Sequence, residues 1–113
     1  MIPTTATTYQ IYFGRSVSTP QFGHESTHHI TDKQFSQFIK ANIVPRFQSF
    51  SITPGEGYWK GEREPMSVVT IVSENYFDAI DVQKIAKEYC KQFNQEAVFI
   101  NSLSSFPSLV TDV

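Results

Sequence analysis

The chain has 113 residues, of which 40% are hydrophobic and 14% aromatic, with ten phenylalanines and five tyrosines. This length is typical of one domain, and this apolar content can offset the ordering entropy that leaves polar chains unfolded. Nine basic against eleven acidic residues give a formal net charge of −2, without the basic excess that drives binding to nucleic-acid polymers. We therefore expect one domain over residues 1–113, with a core at about 9–100 and no nucleic-acid polymer as a partner.

The cysteine content and the start of the chain bear on cellular location. Cys90 is the single cysteine, so it cannot form an intramolecular disulfide, and we expect a partly buried structural thiol in a reducing compartment. The N-terminus lacks a basic segment followed by an apolar run, and no stretch approaches the roughly 20 apolar residues of a membrane helix. These features predict a cytoplasmic protein with no membrane partner.

The first third of the chain predicts a strand, a long loop and a helix. Apolar and polar residues alternate over residues 9–13, which indicates a strand. Residues 15–30 are polar and contain a proline and a glycine, which favours a loop. Thr31 and Gln34 match a capping box at the start of a helix, and the apolar stripe of this helix ends near Ile43, ahead of a proline.

Two strands are predicted in the middle of the chain. Residues 50–59 alternate in hydrophobicity and are punctuated by glycines, which indicates a strand bent by glycine. Residues 67–73 are mostly β-branched and apolar on both faces. This pattern is typical of a central strand covered on both sides.

The last part of the chain predicts a helix, a strand and a tail. Asp81 is the expected N-cap of a helix whose apolar stripe ends ahead of Asn94, a suitable C-terminal residue. Residues 97–100 read as the last strand. Residues 101–113 form a serine-rich tail that two apolar side chains are expected to hold against the body, Phe106 and Leu109.

The order strand, helix, strand, strand, helix, strand is that of the ferredoxin-like βαββαβ fold, an α+β architecture. Right-handed crossovers place both helices on one face of a four-stranded antiparallel sheet. We expect the other face to carry apolar side chains that need cover by a second copy or a ligand, and hence a homo-oligomer, most simply a dimer. The side chains assigned to that face are Tyr12, Trp59, Val69, Ile71 and Val98.

Several fragments in this order and spacing resemble a known family. They are Tyr12-Phe13-Gly14, Pro45-Arg46-Phe47, Gly57-Tyr58-Trp59, Arg63-Glu64-Pro65 and the segment 91–98. Together they resemble the bacterial family of domain of unknown function 3574 over roughly residues 9–100. The chain departs from the usual pattern of that family at Asn94 and Ala97, where glycine and serine are common. The resemblance implies the fold and topology given above, and it implies no catalytic role.

Residues 55–64 are the most suggestive segment for ligand binding. Glycines there allow close backbone approach, Tyr58 and Trp59 offer aromatic rings, and Lys60 and Arg63 offer cations. An aromatic ring beside a cation suits a small anionic, nucleotide-like ligand. The alternative is a twisted hairpin whose tryptophan belongs to the core and whose charges are solvated.

The other arginines and one carboxylate extend this candidate site. Arg15 follows the first strand and Arg46 follows the first helix, so both are candidates to approach the same end of the sheet as Arg63. Glu96 is a candidate ligand acceptor or general base. The alternative for each is structural pairing, with the arginines bound to carboxylates such as Glu62, Glu64 and Glu96.

A histidine-rich stretch holds the one concentration of metal-type ligands in the sequence, namely His24, Glu25, His28 and His29. Its surroundings favour a loop, and no cysteine or aspartate lies close, so no metal is predicted. A lid or a general base supplied by this loop remains an alternative, beside an exposed variable loop.

These observations predict non-catalytic binding or sequestration of a small anionic, nucleotide-like ligand, with no cofactor, as small phage-encoded proteins sometimes do. The predicted ligand-binding residues are Arg15, Arg46, Tyr58, Trp59, Lys60, Arg63 and Glu96. One alternative is a cofactor-independent enzyme of the dimeric α/β-barrel type, in which a histidine of the loop acts with Tyr58 or Glu96. Another is a structural protein-interaction module.

Overall fold

The computed structural model describes residues 5–21 and 24–112, with side chains described outside 18–27. Within these residues the elements are, in chain order, β1 (Ala6–Gly14), β2 (Ser16–Gln21), β3 (His24–His29), α1 (Asp32–Asn42), β4 (Ser51–Trp59), β5 (Glu62–Ser73), α2 (Asp78–Phe93) and β6 (Phe99–Ser105). Strands β4, β5, β1 and β6 form an antiparallel sheet in that spatial order. This is the predicted ferredoxin-like βαββαβ arrangement with one hairpin, β2–β3, added between β1 and α1.

The added hairpin corrects the prediction of a loop at residues 15–30. Ser16 pairs with His29 at its base and Gln21 with His24 at its far end. Among its described side chains, Val17 is buried and apolar. Residues 16–29 show no hydrophobic alternation because most of them are polar. Strand pairing rests on backbone hydrogen bonds, which a polar sequence also makes.

The core lies between the sheet and the two helices and is rich in aromatic contacts. The Phe13 ring on β1 lies 5.7 Å from Phe35, 5.8 Å from Phe38 and 4.5 Å from Tyr89, measured between ring centroids. The Tyr89 hydroxyl donates a 2.6 Å hydrogen bond to the carbonyl oxygen of Gly14, which satisfies the polar end of a fully buried side chain. Both helices are therefore fixed to the same end of β1.

The helix ends test three predicted caps. The Thr31 and Gln34 capping box is present at the start of α1, and Asn94 ends α2 in the left-handed conformation with φ 51°. The predicted cap at Asp81 is wrong, because α2 begins at Asp78 after Phe77 and Asp81 lies in the first turn. In that turn its carboxylate still stabilises the helix, because it lies near the positive end of the helix dipole. Neither described helix is both long and apolar enough to cross a membrane.

The face of β5 that meets the helices differs from the prediction. Val69 and Ile71 are fully buried against the helices, and Val98 also packs against this core, so they do not cover the helix-free face. Val72 points the other way and is 49% exposed, which shows that β5 is not covered on both sides. In a run of apolar residues, the sequence does not reveal which alternate side chains face inward. Here the pairing of Val69 with Ile11, which is buried in the core, places Val69 and Ile71 on the inner face.

The helix-free face combines apolar and polar side chains. Tyr12 and Phe99 are opposite each other on β1 and β6, with ring centroids 5.6 Å apart. Next to them the Gln10 side-chain oxygen accepts hydrogen bonds from the Tyr12 hydroxyl at 3.2 Å and from Asn101 at 3.3 Å. Phe99 is 69% exposed and Leu103 is 50% exposed. This face is therefore less apolar than predicted, with the exposed ring of Phe99 and the half-buried ring of Tyr12 beside a hydrogen-bonded centre.

The last strand and the tail also depart from expectation. β6 begins two residues later and ends five residues later than the predicted strand at 97–100. The tail after it is not held to the body by its apolar residues, since Phe106 and Leu109 are both mostly exposed.

Candidate functional site

The β4–β5 hairpin ends in a two-residue turn at Lys60 and Gly61. Both residues have positive φ, 50° and 82°, and the last strand pair before the turn is Trp59 with Glu62. Two-residue turns of this kind favour Asn-Gly, because left-handed backbone costs other residues about 1–2 kcal/mol. Lysine therefore occupies a position where the backbone alone would select asparagine.

Three side chains meet beside this turn, and we call Trp59, Lys60 and Glu96 the apex cluster. The indole Nε1 of Trp59 donates a 3.0 Å hydrogen bond to Glu96 Oε2, and Lys60 Nζ lies 2.9 Å from Glu96 Oε1. The same ammonium lies 5.9 Å from the Trp59 ring centroid, within cation–π range. The hydrogen bonds from Lys60 and Trp59 hold the pKa of Glu96 below its usual range.

The aromatic rings of this hairpin are open to solvent. Trp59 is 47% exposed and Tyr58 is 74% exposed. The alternative in which the tryptophan belongs to the core is therefore wrong. A partly exposed indole that is fixed by a hydrogen bond is available for stacking.

Arg63 lies on the same hairpin but points to a different partner. Its guanidinium forms an ion pair with Glu56 on the neighbouring strand, and this pairing raises the pKa of Arg63. Both side chains, with Pro65, border a shallow depression of about 220 Å³. Arg63 therefore flanks the apex cluster on the same arm of the sheet with its charge already paired.

Arg15 is held away from the apex cluster by structural contacts. Its guanidinium donates to the carbonyl oxygen of Ile30 at 2.8 and 3.2 Å, to Ser67 Oγ at 3.0 Å and to Asp32 at 3.0 Å. It also lies 4.6 Å from the Phe35 ring centroid. With 13% of its side chain exposed, Arg15 fixes the start of α1 to the sheet.

Arg46 lies at the opposite end of the helix layer. It approaches Asp81 at 4.0 Å, in the first turn of α2, whereas Arg15 pairs with Asp32 in the first turn of α1. The two helices are antiparallel, because Gln95 after α2 hydrogen-bonds the Ser16 carbonyl near the start of α1. The three arginines therefore do not converge on one cavity.

Arg46 instead borders a groove between the helices, which we call the α1–α2 groove. Its volume is about 700 Å³, and it is lined by Asn42, Arg46, Lys84, Lys87, Glu88, Cys90 and Lys91. Of these α2 residues, only Cys90 was singled out from the sequence, as a partly buried structural thiol. The spacing of the lysines along α2 could have indicated a cationic helix face. The groove itself forms only because α1 packs beside that face, which the sequence does not show.

Glu64 is a half-buried carboxylate that the sequence presented only as a partner for arginine. Desolvation raises its pKa, against a hydrogen bond from the Ser16 backbone amide that lowers it. Its carboxylate lies against Gly14, where a Cβ atom would come within 2.9 Å of either oxygen. Its burial arises from the turn between β1 and β2, and no local sequence signal predicts that turn.

The histidine-rich stretch lies on the β2–β3 hairpin. His28 and His29 are exposed, and His29 Nδ1 is 3.3 Å from Ser16 Oγ. The side chains of His24 and Glu25 lie outside the described residues. Among the side chains that are described, no group of three or more metal-type ligands occurs.

Comparison with known proteins gives a family and a fold neighbour. The sequence model of the family described as protein of unknown function (DUF3574) matches residues 8–106. No curated protein matches the chain. A solved structure titled "Phage SAM lyase in complex with S-methyl-5'-thioadenosine" is similar, with a TM-score of 0.54, 19% sequence identity and 90% of each chain covered. At that identity the likeness shows a shared fold.

Proposed function

Because the chain belongs to the DUF3574 family, whose description assigns no activity, we propose a function from the geometry of the chain itself. The protein binds a small nucleotide-like molecule at the apex of the β4–β5 hairpin. Binding takes place without a cofactor and serves to sense or sequester the ligand. The residues assigned to the ligand are Trp59, Lys60 and Glu96. Tyr58 and Arg63 are paired with each other across the hairpin, on the face opposite to Trp59, and are not assigned to it.

The observation that carries this proposal is the fixed orientation of Trp59. Its indole is anchored by Glu96 yet half exposed, so a flat ring can stack on it without first ordering the side chain. Stacking of a base on an aromatic side chain contributes about 1–3 kcal/mol. For an unanchored tryptophan, the entropy cost of ordering the side chain on binding would offset part of this stacking energy.

The neighbouring charges suit the remainder of such a ligand. Each carboxylate oxygen of Glu96 accepts one hydrogen bond in the free protein and retains a further lone pair, which can accept a ribose hydroxyl. Lys60 supplies a cation for an anionic substituent, and the backbone strain at its position supports a role for its side chain.

The fold neighbour supports the class of ligand. That protein is described in complex with S-methyl-5'-thioadenosine, which is a nucleoside with a flat base and a ribose. The apex cluster offers an aromatic face for such a base and a carboxylate for such a ribose. Arg15 and Arg46 lie outside this site and are not assigned to it.

A binding titration tests the proposal. S-Methyl-5'-thioadenosine and AMP are titrated against the protein by calorimetry and by the fluorescence of Trp59, the single tryptophan. Trp59→Leu is expected to weaken binding about tenfold, the loss of one stacking contact. Tyr76→Leu is the matched control, because Tyr76 is an exposed aromatic on the β5–α2 connection. Unchanged affinity in Trp59→Leu, or no binding of either nucleoside, would contradict the proposal.

An enzymatic function is the second candidate, favoured by the description of the fold neighbour as a SAM lyase. Incubation with S-adenosylmethionine followed by chromatography would detect S-methyl-5'-thioadenosine as a product. If the unaltered protein forms this product and His28→Ala, His29→Ala or Glu96→Gln does not, the protein is an acid–base enzyme and the binding function is wrong. Intact S-adenosylmethionine after incubation would leave binding as the function of the apex.

We also propose that two copies associate through the helix-free face of the sheet. Exposed apolar side chains at Val72, Phe99 and Leu103 and the half-buried ring of Tyr12 favour burial, and a second copy presents the same surface. Phe99→Asp is expected to shift the mass in solution to that of a monomer, whereas Leu109→Asp, in the exposed tail, is not. A monomeric mass for the unaltered protein would contradict this proposal.

A further inference from the structure

The α1–α2 groove concentrates positive charge in a protein whose net charge is −2. Four cationic residues line it, Arg46, Lys84, Lys87 and Lys91, against one carboxylate, Glu88. The lining therefore carries a formal charge of about +3, four minus one. Such a concave surface raises the local concentration of anions.

The cations of the groove have no close carboxylate partner among the described side chains. In the described part of the chain, three of the five basic side chains outside the groove form close ion pairs, namely Arg15 with Asp32, Lys60 with Glu96 and Arg63 with Glu56. The other two, Lys33 and Lys40 on α1, form none, but neither lines the groove. In the groove, Arg46 reaches Asp81 only at 4.0 Å. Among the described side chains, no carboxylate lies within ion-pair distance of Lys84, Lys87 or Lys91. These ammonium groups are free to meet an external anion.

The spacing of the lysines selects a linear anion over a compact one. Lys84, Lys87 and Lys91 are three and four residues apart, so they lie on one face of α2 and extend about 10 Å along its axis. A single phosphate cannot contact all three. The groove volume of about 700 Å³ lies within the range of small-ligand sites.

We propose that the α1–α2 groove binds an oligophosphate, a linear chain of phosphate groups that is either free or carried by a nucleotide. Arg46 provides a planar fork for two oxygens of one phosphate, and the lysines provide point charges along the rest of the chain. Glu88 repels the ligand and sets an upper limit on its affinity. This site is separate from the apex cluster and does not depend on the function proposed for it.

Tripolyphosphate is the first probe, measured by calorimetry at low ionic strength because exposed charges are screened by salt. The double variant Lys87→Gln with Lys91→Gln is expected to weaken binding about tenfold or more, since each exposed ion pair contributes up to about fivefold. The matched control is Lys33→Gln with Lys40→Gln, which removes the same charge from α1 outside the groove. Glu88→Gln is expected to tighten binding.

Cys90 reports whether the probe occupies the groove. It is the single cysteine and lines the groove, half-buried. Bound tripolyphosphate is expected to slow alkylation of its thiol at about pH 8.5, and chloride at equal ionic strength is not. The protein altered at Trp59→Leu should show the same protection, which separates this site from the apex cluster.

Competing probes decide the chemistry of the ligand. Equal affinity for tripolyphosphate and ATP would show that the groove recognises the phosphate chain alone. Tighter binding of ATP would show that the ligand is a phosphate chain carried by a nucleotide. Equal affinity for tripolyphosphate and inorganic phosphate, equal loss in the two double variants, or tighter binding of an oligoglutamate peptide would each overturn the proposal.

Discussion

The indole nitrogen of Trp59 donates a 3.0 Å hydrogen bond to the carboxylate of Glu96, a residue 37 positions further along the chain. This bond joins the tip of the β4–β5 hairpin to the connection between α2 and β6. Lys60 binds the other oxygen of the same carboxylate. One acidic side chain thus fixes both the aromatic ring and the cation of the apex cluster.

The ionisation of Glu96 should be visible at Trp59. Because Lys60 and Trp59 lower the pKa of this carboxyl, the contacts favour folding at neutral pH and lose their contribution as the pH falls through the lowered pKa. The indole N–H resonance of Trp59, followed by NMR, should shift with this pKa, below the usual range for glutamate. Lys60→Met is expected to raise the midpoint, and Lys91→Met, on α2, to leave it unchanged. A midpoint insensitive to Lys60→Met would mean that the ion pair does not form in solution.

Lys60 offers a test of function against stability. Lys60→Asn places the preferred residue in the left-handed position of the turn and removes the exposed ion pair with Glu96. Because an exposed pair contributes little, the relief at the turn should prevail and stabilise the protein by up to about 1 kcal/mol. The same change removes the ammonium from the apex cluster and should weaken binding of AMP more than binding of uncharged S-methyl-5'-thioadenosine. Thermal unfolding and calorimetry measure the two effects. A variant that is both less stable and equally able to bind AMP would show that the lysine serves the turn and not a ligand.

The sequence predicted those parts of the fold that depend on local signals. The Thr31 capping box, the left-handed cap at Asn94 and the apolar stripes of both helices were confirmed, because each arises from residues within a few turns of one another. Together with the alternation of β1, those stripes were sufficient to predict the ferredoxin-like topology.

The remaining errors involve relations between distant residues. The polar β2–β3 hairpin has no hydrophobic period to detect, and the burial of Val69 depends on its pairing with Ile11 across two strands. Likewise the contact of Trp59 with Glu96, and the separation of Arg15 from Arg46, follow from how the elements pack. The sequence named the residues of the apex cluster but contained no measure of their distances.

Arg15 should prove essential to stability. Its guanidinium satisfies the carbonyl oxygen of buried Ile30 and pairs with Asp32, so Arg15→Met leaves a buried acceptor without its donor. The expected loss is about 2 kcal/mol in the free energy of unfolding, measured by urea denaturation. Arg63→Met, which removes an exposed and solvent-screened ion pair, should cost clearly less. Equal losses in the two variants would refute a structural role specific to Arg15.

Glu64 should give the protein a stability that falls as the pH rises. Burial raises the pKa of its carboxyl in the folded state, so the folded protein binds this proton more tightly than the unfolded chain does. The contribution is present below the unfolded pKa and is lost as the pH increases through the folded pKa. Glu64→Gln keeps an oxygen for the Ser16 amide and removes the charge, so the variant should melt above the unaltered protein at neutral pH.

The difference in melting temperature between this variant and the unaltered protein isolates Glu64, because other carboxyls such as Glu96 are common to both. It should be near zero below the usual glutamate pKa of about 4.3 and should grow as the pH rises through the raised pKa of Glu64. Glu62→Gln, an exposed position at the start of the same strand, should show no such growth. A constant difference for Glu64→Gln across this range would indicate that its carboxyl is solvated in the folded protein, and that the close approach to Gly14 does not persist in solution.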